Sequence, residues 1–458
     1  MERKIAWEKY SQEEMDKVFT FAEGYRQFLS HGKTERECVK LAVAEAKAHG
    51  YENLNDVIAA GKTLKAGDKV YSVCMGKTLA MFQIGEEPLE NGMNIVGAHI
   101  DSPRIDLKQN PLYEDNDMAM FDTHYYGGIK KYQWVALPLA LYGVVAKKDG
   151  TTVDIAIGDD HGDPVFGISD LLPHLAREQM AKTAAKIIEG EDLNLLIGSI
   201  PVKGEEKEAV KKNILAILKE KYDIEEDDFI SAELEVVPAG AARDYGFDRS
   251  MIMGYGHDDR VCAYPSYKAM FELGSVKRTA VCLLVDKEEI GSVGATGMTS
   301  FYFENTVAEV INACGDYSDI KVRRALNNSR MLSSDVSAGF DPNYPSVMEK
   351  NNSAFLGKGL TFNKYTGSGG KSGSNDANAE YVALVRKIMD DADVTWQTAE
   401  LGKVDVGGGG TIAYLMAKYG MNVIDSGVPV LSMHAPWEII SKADLYEALK
   451  GYIAFLNA

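Results

Sequence analysis

The chain has 458 residues, ample for one large or two ordinary domains, with 45% hydrophobic and 26% charged side chains, the proportions of a globular protein. Its formal net charge of −19 argues against a nucleic-acid partner, which needs basic excess to neutralise phosphate, and against an anionic membrane surface. No run reaches the roughly 18 apolar residues of a membrane helix.

The start, MERKIAWEKYSQEEMDK, is charged and lacks the apolar core of a signal peptide. Ser11 and Glu14 then form a capping-box pattern, and Met15, Val18, Phe19, Ala22 and Tyr25 fall on one helical face. Thr34 and Glu37 repeat the signal before a second helix ending near Gly50. KVYSVCMGKTLAMFQIG reads as a hairpin around Met75-Gly76-Lys77, and MNIVGAHI as a buried strand. After Lys108 the texture changes to short strands, with a turn at Lys148-Asp149-Gly150. The helical run KEAVKKNILAILKEKY and the strand-like ISAELEVV follow. Residues 108–240 therefore read as a strand-rich insert between residues 1–107 and 241–458.

From MIMGYGHDDRVCAY onward, strands alternate with helices. RTAVCLLVD is a fully apolar β run; ENTVAEVINACG, NAEYVALVRKIMDDA, TIAYLMAKYG and KADLYEALKGYIAFLN are helical. This alternation predicts an α/β fold, a sheet with helices on both faces. The glycine-rich YTGSGGKSGSND reads equally as a linker or an active-site loop. Five scattered cysteines (Cys38, Cys74, Cys262, Cys282, Cys314) without C-x-x-C spacing read as reduced, mostly buried thiols of a cytoplasmic protein and argue against a cysteine zinc site.

One histidine, His99, sits at the mouth of the strand MNIVGAHI with Asp101 two residues on. Alone, such a pair is a packed histidine beside an acid. Four further places resemble it: Asp258 and Asp259 in GYGHDDRVCA, Glu288 and Glu289 in LLVDKEEIGS, Asp335 in MLSSDVSAGFDPNY, and His434 in VLSMHAPWE. Most follow plausible strands, and in α/β sheets ligands collect at the carboxyl ends of strands. Two histidines with several carboxylates and no thiolate suit zinc, manganese or cobalt. The count also suits two ions sharing one carboxylate, with a free glutamate as general base.

The segments GAHIDSPR, HDDRVCA, DKEEIGS, SSDVSAGFDPNY and LSMHAPWE, in this order, resemble the aspartyl aminopeptidase / aminopeptidase I family of dinuclear-zinc metallopeptidases. YYGGIKKYQW and LLPHLAR resemble that family's insert. The resemblance implies a dinuclear-zinc exopeptidase fold, a mixed sheet flanked by helices, with an inserted dimerisation domain. It implies His99, Asp258, Glu289, Asp335 and His434 as ligands of two divalent ions, with Asp258 bridging. It further implies Asp101 orienting His99, Glu288 as general base, and His174 of the insert stabilising the oxyanion in a neighbouring subunit. A cis Asp258–Asp259 peptide and dimers assembled into a tetrahedral dodecamer complete the expectation. The implied reaction is removal of a peptide's N-terminal residue, acidic in the family, by a metal-bound hydroxide. A related carboxypeptidase or deacylase would not need the insert, and a non-catalytic assembly protein would not need Glu288. Two departures stand out: Gly256-His257 replaces the Arg-Leu of many relatives, and DVGGGGTIAYL is unusually glycine-rich.

Overall fold

The computed structural model describes residues 4–315 and 317–458. It divides into two compact units: residues 1–101, 242–433 and 438–458 form one, and 102–241 with 434–437 the other. The expected insert bounds, 108 and 240, shift in consequence. The physical reason is a continuous strand, Arg104–Asp115, which belongs wholly to the second unit.

In the first unit, both capping boxes form. The Ser11 and Thr34 hydroxyls accept from the Glu14 and Glu37 amides, and those glutamates accept in return from the cap amides. Strands Lys69–Cys74 and Thr78–Gln83 pair antiparallel. Their turn takes positive φ at Met75 and Gly76, as a tight hairpin matched to strand twist requires.

Nine strands make the main sheet of this unit. At its centre Asn94–His99 runs parallel to both Ala280–Val285 and Arg330–Ser334, and the latter is parallel to Asn422–Gly427. Antiparallel neighbours outside them make the sheet mixed. Both faces are covered. Val96, Ala98, Cys282 and Leu284 enter one apolar core, while Ile95, Val281, Leu283 and Val285 enter the other. That explains the unbroken apolar runs in these strands. Helices Gln12–His31, His257–Phe271 and Lys442–Leu456 supply the first core, and Tyr302–Ala313 and Asp319–Asn327 the second. The helix expected from TIAYLMAKYG is only Ala413–Ala417. A separate five-stranded sheet includes Met251–Gly254 paired with Glu438–Ser441.

The second unit is a six-stranded antiparallel sheet. Arg104–Asp115 and Met118–Tyr126 form a hairpin turning through Asn116 and Asp117, both at positive φ. Helix Ala209–Tyr222 also belongs to this unit. No helix among the described residues is long and apolar enough to cross a membrane, and all five cysteines are free thiols.

Candidate metal centre

Three parallel strands of the first unit end side by side, and their carboxyl ends carry the acids. His99 closes the central strand in register with Val285. Glu288 and Glu289 follow Val285 in a short 3-10 turn, entered through Lys287 and left through Gly291, both at positive φ. Asp335 directly follows Arg330–Ser334. The Asp335 turn lies against Gly427, where a Cβ would come within 1.8 Å of the Asp335 carbonyl oxygen. Only glycine permits that approach.

Asp258 arrives from another direction. Gly256, in left-handed conformation, turns the chain from Met251–Gly254 into helix His257–Phe271. The Asp258–Asp259 peptide is cis, and both residues depart from helical backbone angles. The Asp258 amide donates to Glu438 Oε2 at 3.0 Å.

His99 is buried among these acids. Its Nε2 lies 3.2 Å from Asp258 Oδ1 and 3.9 Å from Glu288 Oε2, and its Nδ1 donates to the Asp101 carbonyl oxygen at 3.0 Å, with Asp101 Oδ1 3.2 Å away. Asp101 also acts beyond the imidazole. Its two carboxylate oxygens accept the Glu288 and Glu289 amides at 3.1 and 3.2 Å. Asp259 Oδ2 accepts the His99 amide at 3.2 Å.

Electrostatics mark the cluster as short of positive charge. Burial works against a charged His99, but Asp101, Asp258 and Asp259 outweigh it and push its pKa up. Asp335 is pushed up by burial and by the charges of Asp259, Glu288 and Asp258, with His99 opposing. Asp259 is likewise raised, chiefly by burial. Crowded carboxylates relieve such strain by keeping a proton or by accepting a cation.

Donor atoms of His99, Glu288 and Glu289 lie within 4.8 Å of one another, as do those of His99, Asp258 and Asp335. An imidazole nitrogen and carboxylate oxygens without thiolate fit zinc, manganese or cobalt. The first unit thus brings together six sequence-derived candidates: His99, Asp101, Asp258, Glu288, Glu289 and Asp335. The other two, His174 and His434, belong to the second unit. His434 has positive φ, and its Nδ1 lies 2.9 Å from the Gly128 carbonyl oxygen. His174 is exposed in a turn before the short helix Arg177–Met180.

His257, the departure beside Asp258, is a packed residue. Tyr25 donates its hydroxyl to Nδ1 at 2.7 Å, so Nε2 carries the proton toward the Ile252 carbonyl at 3.2 Å. Burial, reinforced by Arg260, depresses its pKa to about 3, so it stays neutral.

Asp425 escaped the sequence reading. It is buried in a row with Ser333 and Asn363 across three strands, and its Oδ1 accepts the Thr411 hydroxyl at 2.6 Å. Its only sequence signal is an acid inside the apolar run MNVIDSGVPVL.

Residues 28–456 match the family of aminopeptidase I zinc metalloproteases, M18. A Clostridium acetobutylicum protein named probable M18 family aminopeptidase 1 is 65% identical over 457 residues, covering 100% of this chain and 98% of the relative. The crystal structure of an M18 aminopeptidase from Thermotoga maritima superposes with a TM-score of 0.95 at 45% identity, covering 100% of this chain and 99% of that one. The S. cerevisiae mApe1 dodecamer structure shares the fold at 21% identity, with a TM-score of 0.75 and 95% of each chain covered.

Proposed function

This chain belongs to the M18 family of aminopeptidase I zinc metalloproteases and is an aminopeptidase, and on that premise we propose that it removes N-terminal residues from peptides at a centre of two divalent ions. The observation that carries the reading is the strand-end cluster of His99, Asp258, Glu288, Glu289 and Asp335. Asp258 would serve both ions. His99 and Asp335 would complete one site, and Glu289 and His434 the other. Zinc is the proposed metal, with manganese and cobalt also suited to the donor set. Bound divalent ions would polarise the scissile carbonyl and acidify water at the site.

This chain's own residues do the rest. Glu288 is proposed as general base, drawing a proton from water and returning it to the leaving amine. Support comes from the Asp101 carboxylate, which fixes the backbone of both Glu288 and Glu289. Asp101 also sets the His99 ring: its backbone carbonyl accepts from Nδ1 at 3.0 Å with its carboxylate beside it at 3.2 Å, which leaves Nε2 toward Asp258, the orientation a ligand imidazole needs. His174 is proposed to stabilise the oxyanion in a neighbouring subunit, with self-association through the second unit. A dodecamer and a cytoplasmic location complete the reading.

A panel of aminoacyl-p-nitroanilides, assayed metal-free and after adding zinc, manganese or cobalt, tests it. Turnover should need metal and a free N-terminus. Full activity in the metal-free protein would overturn the metal centre. The acidic preference is tested separately: faster turnover of leucyl or lysyl substrates than of aspartyl or glutamyl ones would overturn it alone.

A further inference from the structure

The geometry points to Arg260 as a positioning residue of the metal centre, a clasp that fixes the His99–Asp101 segment against the Asp258–Asp259 turn. The inference rests on the metal centre proposed above.

Three adjacent residues, His99, Ile100 and Asp101, form the joint between two acid-bearing turns. The His99 amide goes to Asp259, and the Asp101 carboxylate takes the Glu288 and Glu289 amides. Between them, Ile100 donates its amide to the Val285 carbonyl at 2.9 Å. Its carbonyl accepts Arg260 Nε at 3.2 Å. The same guanidinium donates Nη2 to the Lys33 carbonyl at 3.1 Å, just ahead of helix Glu35–Ala48. It also lies 5.3 Å from the Tyr255 ring centre. Arg260, Ile100 and Lys33 are all buried, at 1%, 0% and 2% exposed, so neither carbonyl has bulk water to turn to if the donor is lost.

The clasp acts through backbone. Arg260 follows Asp258 and Asp259 directly, so its hold on Ile100 ties two ligand-bearing segments at a fixed separation. A planar guanidinium serves two carbonyls in fixed directions; a lysine ammonium offers one point donor. Groups that orient metal ligands commonly change metal affinity 10–100-fold when removed.

The test is zinc affinity of the metal-free full chain, by competition with a chromophoric chelator. Arg260→Met should bind zinc about 100-fold more weakly and Arg260→Lys about 10-fold more weakly. At saturating zinc, both should recover KM and most of kcat. Lys442→Met is the control: Lys442 is a buried cation paired with Asp244 at 2.7 Å, on another element, and its loss should leave zinc affinity unchanged. Affinities within twofold of wild type in both Arg260 variants would overturn the clasp. So would an equal loss in Lys442→Met, which would mark a general effect of stability. If Arg260→Met does not fold, Arg260→Lys decides alone. A wild-type chain that binds no zinc would sink the metal centre itself, and the clasp with it.

Discussion

Adjacent glutamates divide their work when one is bound by metal and the other is left to move protons. Asp101 accepts both amides and so fixes the Glu288–Glu289 backbone as one piece, leaving the side chains to differ. Glu288→Gln should keep its metal and lose about 10²–10⁴-fold in kcat, the usual contribution of a general base. Glu289→Gln should lower metal content instead. Metal analysis beside turnover separates them, and normal kcat in metal-replete Glu288→Gln would refute the assignment. Asp425 allows a test without metal. Burial pushes its carboxyl up to about 7, with the Thr411 hydrogen bond opposing and the Glu288 charge adding. An unfolded aspartate titrates near 3.9. Between those values the folded state binds more protons, so this group's contribution to stability is lost as pH rises from about 4 to about 7. Asparagine cannot ionise. The stability of metal-free Asp425→Asn relative to wild type should therefore climb across that window, by at most about 1.4 kcal/mol per pH unit, and level off above it. Thermal unfolding at several pH values checks this; a constant difference would remove Asp425 as the titrating group.

Elements announced themselves where one local rule governed them. The Ser11 and Thr34 capping boxes, the Met75-Gly76 hairpin and the apolar strand ending at His99 could be read from the chain because each rests on residues a few positions apart. Helix His257–Phe271 could not. Nearly all its residues are buried, so no polar face marks a 3.6-residue period, and Pro265 lies within it. Asp101 is 187 residues from the Glu288 amide it holds, and no sequence period connects them. The strand-end acids were recognisable one by one, but their convergence depends on the parallel order of three strands. Gly427 belongs to this scale. It is the last residue of Asn422–Gly427 and the surface on which the Asp335 turn rests. Gly427→Ala should push that turn away, costing about 1–3 kcal/mol as overpacking does and weakening zinc binding at the site served by Asp335. Unchanged melting temperature and zinc affinity would mean the turn moves freely.

At the scale of the whole molecule, the question is whether one chain holds a complete active site. The first unit brings together the acids and His99, but His174 stands in the second unit, exposed and among apolar neighbours. Leu171, Leu172 and Leu175 are 52%, 50% and 69% exposed, more apolar surface than a segment facing only water needs. Burial of these leucines against another copy would carry His174 with them. If His174 then serves a neighbour's oxyanion, His174→Ala should keep its metal and its assembly while kcat falls about 10²–10³-fold, the typical cost of one such donor. A chain lacking only that histidine still carries Glu288, and a Glu288→Gln chain still carries His174. Mixing the two nearly inactive variants after dissociation should build some sites with both groups intact, and a measurable part of wild-type activity should return. The recovered activity should scale with the fraction of mixed oligomers. If verified mixed oligomers stay inactive, His174 acts within its own chain or not at all, and self-association then governs stability and access rather than chemistry.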